Sequence, residues 1–407
     1  MMILCAAISF ESGLPAWMFH CQTPPPDYAF HPEVRGLTWV DMVFPLFIFA
    51  LGAALPFSLK SRTRKDAVRF LVRRFVILVA FSLVLGHADA LSATACPPVL
   101  GGVIRAVIWI LLFAALVRTQ LKWVNLAGWG ALAALFAALH FRFALPFSWA
   151  QNDCIIMLLA WAVLMGGLIC LFTLDKPLLR TLALLLVVAA KMAGFDFTQY
   201  LVIVLPATLA SDAIRGALPW AGPREGRAPL AGGMLAFAAA LVQLWGLYHR
   251  WVVIDLAITL ALFAAYVLLT SRRRSPAVLI GTMGFLLLTA GIGFDFYDGG
   301  LAKDYCNLSY LLVTGGMSAL LLHFLLCLEQ RHPLSRNLVL CGQNPMIAYT
   351  VAWYVVCPLL ALCGVMGWFD PLCVGHPLLG LLRGVAITLL ALAVTCAFTR
   401  LRIFWRS

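Results

Sequence analysis

Charge is scarce in this chain. Of its 407 residues only 11% are Asp, Glu, Lys or Arg, against 63% hydrophobic ones, and the mean hydropathy is +0.97. A water-soluble domain carries roughly 25% charged residues, so this balance excludes one. Strand-type alternation is lacking too. The apolar runs mix Leu, Ala, Gly and Phe over roughly 20 residues, which excludes an outer-membrane barrel and fits helices crossing the hydrocarbon layer. Neither a G-x-x-x-x-G-K-[ST] nor a G-x-G-x-x-G motif is present, and ATP-driven transport is thereby disfavoured. The 12 cysteines contain no C-x-x-C pair, so no metal site is expected. Most of them (Cys154, Cys170, Cys327, Cys357, Cys363, Cys396) sit in apolar runs, where a thiol packs as a small hydrophobe. A signal peptide is missing as well: the opening MMILCAAISF has no basic n-region and no cleavage site, so the chain is expected to begin inside a first, truncated span.

What the chain does have is a succession of apolar runs with short polar breaks. They predict an all-α, polytopic integral membrane bundle of about 11 to 14 spans, one domain over residues 1–407 with no soluble domain. The spans fall near residues 1–14 (short), 40–58, 70–90, 99–117, 124–141, 154–173, 180–194, 200–214, 229–248, 251–270, 277–294, 307–328, 344–366 and 378–399. The pair 180–194 and 200–214 is close enough to be half-helices. The Pro/Gly-rich stretch 216–228 reads as a loop, and no internal repeat is visible.

The net charge of +12 is explained by topology rather than by nucleic acid, because the basic residues lie in short loops between apolar runs. If the loop after residue 58 is cytoplasmic, every second loop holds the charge. These loops carry Lys60 to Arg74, Arg118 and Lys122, Lys176 and Arg180, Arg215, Arg224 and Arg227, Arg272 to Arg274, Arg331 and Arg336, and Arg400 to Arg406. They take 22 of the 29 Lys and Arg, which is the asymmetry of the positive-inside rule. Cys21, Cys96, Cys306 and Cys373 then fall on the outer face, where a disulfide stays open.

On that topology the ionisable groups sort by side. His20, His31, His87, Asp89, His249, Asp295, Asp298, Lys303, Asp304, Asp370 and His376 lie at or near the outer face, with Asp41, Arg105, Lys191 and Asp196 at outward span ends. Outer loops are wet, and that alone accounts for many such residues. The concentration of histidine is more telling, since imidazole titrates near neutrality and serves as general base or nucleophile. Asp41 stands at the threshold of an apolar run in GLTWVDMVFPLFIF, where an unpaired carboxylate is costly. Pairing with Arg35 or Arg105, orienting a histidine, or accepting backbone N–H groups at a helix start would each offset that cost. Pro45 predicts a kink close to the same level. On the inner face Arg62 to Arg74 and Arg272 to Arg274 suit either the phosphates of a nucleotide-like donor or anionic lipid head groups.

The segment H-P-E-V-R-G-L-T-W-V-D-M-V-F-P-L-F-I-F, His31 to Phe49, resembles the signature of the heparan-α-glucosaminide N-acetyltransferase family, with a His shortly before Gly-Leu-Thr and Asp-Leu-Val-Phe-Pro after it. Further blocks follow in order: Gly102-Val103-Ile104; Lys303 with Leu308-Ser309-Tyr310; Gly342, Asn344 and Ile347-Ala348-Tyr349; and Arg402-Ile403-Phe404-Trp405. His31 fits the ungapped register and is preferred. Trp17-Met18-Phe19-His20 also resembles the aromatic-rich approach to the family's His, with residues 23–30 as an insertion. The family's Ser-Leu-Asp-x-x-Arg-Gly opening and its large lumenal insertion are missing, and its Gly-His-Glu reads Val351-Ala352-Trp353.

The resemblance implies an acyltransferase that moves an acetyl group from cytoplasmic acetyl-CoA, as donor substrate, to an amino sugar or related glycan on the outer side of a bacterial inner membrane. His31 or His20 would be the catalytic imidazole and Asp41 its carboxylate. Asn344, Lys303, His87, Asp89, Arg105 and Asp196 are the candidate substrate-binding residues, and Arg69, Arg73 and Arg272 would meet the donor. Membrane lipids and the glycan acceptor are the expected partners, and a homodimer is open. A secondary transporter or flippase of a sugar-like solute, without covalent chemistry, is the alternative.

Overall fold

The computed structural model describes residues 1–94, 98–143, 147–196, 199–216, 229–271 and 275–405. Arg224, Arg227, Arg272, Arg273, Arg274, Arg406 and Cys96 lie outside the described residues. The described chain is helical, with no β-strand. Nine described helices are long and apolar enough to cross a membrane, from Val99–Leu116 to Pro377–Arg400, and two shorter apolar ones join them, Val43–Leu59 and Leu201–Ile214. The protein is thus a helical membrane protein. The expected first span is corrected: residues 2–7 form a six-residue helix followed by 3-10 turns at Phe10–Ser12 and Ala16–Met18, too short to cross hydrocarbon at 1.5 Å per residue.

Local chemistry sets the helix ends. Proline occupies the first turn of Pro177–Met192, Pro276–Asp298 and Pro377–Arg400, where its missing N–H costs nothing. Asn307 caps Leu308–Glu329 by accepting from the Tyr310 N–H at 3.2 Å, and Ser275 does the same for Val278 at 3.3 Å.

The chain divides into two compact units, each assembled from separated segments. One unit comprises Met1–Leu14, Val76–Leu158 and Leu334–Ser407; the other comprises Pro15–Phe75 and Leu159–Pro333. In the first, the helix Pro345–Val351 runs through a π turn at Ala352–Val356 into Cys357–Leu362.

The second unit is a helical bundle. Its centre is Leu308–Glu329, two-thirds of which is buried against the neighbouring spans. Close approach there depends on glycine: a Cβ on Gly316 would lie 2.6 Å from the Leu288 nitrogen and 2.8 Å from the Gly284 carbonyl oxygen. In lipid the hydrophobic effect does not drive helices together, so such backbone contact carries the packing. One buried ion cluster reinforces the opposite end of the bundle from the loops described below. Arg180, fully buried, donates to Asp212, to the Thr173 hydroxyl at 3.0 Å and to the Thr173 carbonyl at 3.0 Å, and Arg215 reaches the second Asp212 oxygen at 3.1 Å. Asp175, 3.9 Å from Arg215, supplies a second carboxylate, so each guanidinium has an opposite charge, which a buried ion requires.

The glycine contact is testable. Gly316→Val should cost about 1–3 kcal/mol through overpacking. Gly293→Ala, where a Cβ meets nothing within 4 Å, should be neutral or stabilise by about 0.5–1 kcal/mol. Thermal unfolding in detergent distinguishes them, and equal melting temperatures would contradict the packing account.

Candidate functional site

The polar loops at one end of the second unit converge on Asp41. The segment 15–42, which leads into Val43–Leu59, is held across that end by hydrogen bonds rather than by regular structure. His31 N–H donates to the Gln22 carbonyl at 2.8 Å, the Gln22 amide to the Val34 carbonyl at 3.1 Å, and Gly36 N–H to the Leu301 carbonyl at 3.0 Å. Gly36 has φ +139°, and a Cβ there would sit 3.0 Å from the Cys21 sulfur, so this close strand-like crossing suits glycine alone.

Thr38 and Asp41 form a reciprocal turn before the helix. The Asp41 side chain reaches back to the Thr38 N–H at 3.0 Å, as the acidic partner of a capping box does. The same oxygen, Oδ2, also accepts from the Thr38 hydroxyl at 2.9 Å and from the Cys21 N–H at 3.2 Å. The Tyr310 hydroxyl donates to the Asp41 carbonyl at 3.0 Å and fixes its backbone. Three donors on Oδ2 leave Oδ1 turned toward His20, whose Nδ1 lies 2.7 Å away. The Asp41 side chain is wholly buried, while that of His20 is 42% exposed.

Lys303 completes the group. Its Nζ lies 3.0 Å from His20 Nδ1 and 3.7 Å from Asp41 Oδ1. One ring nitrogen cannot both donate to a carboxylate and accept from an ammonium. At 2.7 Å a bare Nδ1 would set lone pair against lone pair, so the proton sits between Nδ1 and Oδ1 and Lys303 answers the carboxylate charge. In the neutral ring Nε2 then carries the free lone pair, and it takes no hydrogen bond among the described residues. The loop carrying Lys303 is pinned in turn. Arg250 grips Asp295 with two bonds at 2.8 and 3.0 Å, Asp295 accepts from the Leu301 N–H at 2.6 Å, and the Asn307 amide donates to the Gly300 carbonyl at 2.7 Å.

Electrostatics select the reactive group. Burial works to raise the Asp41 carboxyl, but the His20 hydrogen bond and the Lys303 charge outweigh it and hold the group below the ordinary carboxylate range. Cys21, beside it, is pushed up to about 12 by burial and by the Asp41 charge, so its thiol stays protonated at neutral pH and is a poor nucleophile. Burial likewise raises the Cys306 thiol despite its contact with the Tyr200 hydroxyl at 3.0 Å. Cys21, Cys306 and Cys373 are free thiols. The imidazole of His20 is left as the available base.

The sequence candidates therefore separate. His20, Asp41 and Lys303 come together, whereas His31 lies on an exposed turn, 3.1 Å from Glu33 and 3.4 Å from Asp27, which raise its pKa by hydrogen bonding. The geometry thus favours His20 over the preferred His31. Arg35 stacks on the Tyr305 ring at 4.8 Å instead of pairing with Asp41. Asp196 pairs with Lys191 in the same unit. Arg69 and Arg73 are exposed on Arg64–Thr94, and Arg272 lies outside the described residues.

His87, Asp89, Arg105 and Asn344 belong to the other unit. There Arg105 meets Asp89 at 3.1 Å, Tyr354 in the π turn donates to Asp89 at 3.3 Å, and Tyr349 donates to Asp153 at 2.6 Å. Asn344 is buried and its amide is spent on the Ile403 carbonyl at 2.8 Å, which makes it a tie between chain segments rather than a free polariser. Thr38, Cys21, Tyr310 and the Arg250–Asp295 pair were not singled out by the sequence as site residues. Only the T-x-x-D spacing of Thr38 and Asp41 carried a readable signal.

The lowered Asp41 carboxyl makes the stability of the fold depend on pH. A carboxylate lowered in the folded state contributes stability above its unfolded value of about 3.9, and that contribution is lost as pH falls through the lower folded value. Lys303→Gln removes one lowering charge and brings the folded value closer to the unfolded one, so the stability lost on acidification should be smaller, and complete at higher pH, than in wild type. Melting temperature followed from about pH 6 down to about pH 3 checks this; an unchanged acid limb would contradict the assigned role of Lys303.

Residues 1–199 match the family described as Domain of unknown function (DUF5009). Comparison with curated proteins finds no match, and comparison with solved structures finds none.

Proposed function

We propose that the protein is a transmembrane acetyltransferase that carries an acetyl group from cytoplasmic acetyl-CoA to an amino sugar or related glycan on the outer side of a bacterial inner membrane. The observation that carries this reading is the His20–Asp41 pair, a half-exposed imidazole held through Nδ1 by a fully buried carboxylate at 2.7 Å. The resemblance of His31 to Phe49 to the heparan-α-glucosaminide N-acetyltransferase signature supports it, as does the crowding of Lys and Arg into alternate loops. On this topology the His20 end faces the periplasm.

Acetyl transfer needs an amine stripped of a proton and a carbonyl made electrophilic. His20 Nε2 takes the proton from the attacking glucosamine nitrogen, the new N–C bond forms, and the C–S bond of the thioester breaks. The same proton then passes from Nε2 to the departing thiolate, giving an N-acetyl group and free CoA. Asp41 stabilises the imidazolium in between, and the Lys303 ammonium supplies positive charge for the oxygen on which negative charge develops. A two-step route through an acetylated imidazole uses the same nitrogen as the attacking atom. Arg69 and Arg73 would meet the donor's phosphates at the opposite end.

A transporter reading draws on a different observation. Asp255 is buried inside an apolar helix with Oδ2 unpartnered, and neither amide atom of the buried Gln243 finds a partner among the described residues. Intramembrane polar groups of this kind often mark solute paths.

Transfer of label from radioactive acetyl-CoA to glucosamine by the purified protein separates the two. His20→Ala should lower the rate by about 10²- to 10⁴-fold, the usual weight of general-base catalysis, while His31→Ala should leave it near wild type. Full activity in His20→Ala would overturn the histidine assignment. Absence of transfer, together with solute uptake into proteoliposomes lacking acetyl-CoA, would favour transport.

A further inference from the structure

The unit formed by Met1–Leu14, Val76–Leu158 and Leu334–Ser407 contains a groove that the acetyl-transfer reading does not use. It has a volume of about 650 Å³, within the range of small-molecule sites. One wall is the helix Lys122–Phe143, which contributes Trp129, Leu132 and Phe136; Leu83 and Leu91 of Arg64–Thr94 form the other. From Trp129 to His140 the groove follows twelve residues of helix, about 16 Å at 1.5 Å per residue.

Its surroundings define what can fill it. Only 11% of Lys122–Arg142 is buried within the protein, against 67% of Leu308–Glu329, so the rest of this apolar helix meets bilayer hydrocarbon. Water gains nothing by entering such a groove, and an empty one forfeits dispersion contacts along its whole lining. A hydrocarbon chain drawn sideways from the bilayer restores them.

The groove also has a polar end. His87, His140 and Gln151 border it there, and Arg142 adds positive charge two residues beyond His140. That end is built rather than incidental. His87 Nδ1 donates to the Leu83 carbonyl at 2.9 Å, its Nε2 accepts from the Ser148 N–H at 3.3 Å, and its ring stacks on Phe147 with centroids 5.0 Å apart. The Gln151 side-chain amide makes no hydrogen bond among the described residues and is available to a head group. By contrast, a second apolar groove of about 570 Å³ in the other unit, walled by Leu184, Leu185 and Val188, has Thr181 as its one polar lining residue.

We propose that the groove between Trp129 and Gln151 binds one acyl chain of an anionic phospholipid, with the phosphate at the His140–Gln151 end. The site stands on this unit alone and does not depend on acetyl transfer.

The test uses the full chain in nanodiscs containing phosphatidylglycerol with a photoreactive diazirine in its acyl chain, followed by mass-spectrometric mapping of the labelled peptides. Label should concentrate on Trp129–Ala137 above the level at Leu184–Val188, and excess unlabelled phosphatidylglycerol should compete it more strongly than phosphatidylcholine does. Ala133 lines the groove and is exposed, so Ala133→Trp fills the space without disturbing the core. Label at Trp129–Ala137 should then fall to the level of the Leu184–Val188 wall, with the melting temperature unchanged. Equal labelling of the two grooves, equal competition by the two lipids, or label that survives Ala133→Trp would overturn the proposal.

Discussion

A carboxylate removed from water must be answered by donors and charge, and in this protein that requirement organises an entire end of one helical unit. Asp41 is buried because Val43–Leu59 begins there and Leu308–Glu329 packs beside it through Tyr310. Its burial obliges the chain to supply three donors to Oδ2 and an imidazole with an ammonium to Oδ1. Those obligations fix the course of residues 15–42 and the position of the loop at 299–307. A carboxylate that ties together the turn before a helix thereby becomes the group that orients a histidine.

The division of labour between the two carboxylate oxygens joins structure to chemistry. Donors from backbone and hydroxyl determine how the carboxylate points, and the remaining oxygen determines which nitrogen of His20 carries the proton. The arrangement follows the logic by which a carboxylate fixes the tautomer and orientation of a catalytic imidazole. Burial keeps the neighbouring Cys21 thiol protonated, and the Asp41 charge that steadies the ring raises it further. The acid-labile link is therefore Asp41 itself, and Lys303 extends its ionised range.

Much of the fold was legible because lipid imposes a coarse rule: long apolar runs become helices, and composition alone reveals them. Predicted runs near 99–117, 229–248, 251–270 and 307–328 coincide closely with Val99–Leu116, Leu230–Tyr248, Val252–Thr270 and Leu308–Glu329. The run at 1–14 failed because Ser9, Glu11, Gly13 and Pro15 break the helix after Ala7, a local effect that average hydropathy hides. The two-unit organisation was not legible, since each unit interleaves segments far apart in sequence and no linker marks the passage from one to the other. At the site, Asp41 stood out by its cost, while its partner was left between two histidines, with His31 preferred to His20. An ungapped register pointed to His31, ten residues away, while the chain folds back so that His20, twenty-one residues away, lies beside Asp41. Lys303 was readable as a substrate-binding candidate but not as a partner of Asp41, because contact across more than 250 residues leaves no mark on local spacing.

The central claim is that Asp41 holds His20 by Nδ1 and leaves Nε2 as a bare base. Nitrogen-15 NMR of the histidine-labelled protein, with the His20 signals assigned by their loss in His20→Gln, reads the tautomer directly. The account predicts a protonated Nδ1 and an unprotonated Nε2 in the neutral ring, reverting toward the tautomer mixture of free histidine in Asp41→Asn. A neutral ring carrying its proton on Nε2 in the wild type, or a tautomer indifferent to Asp41→Asn, would contradict it.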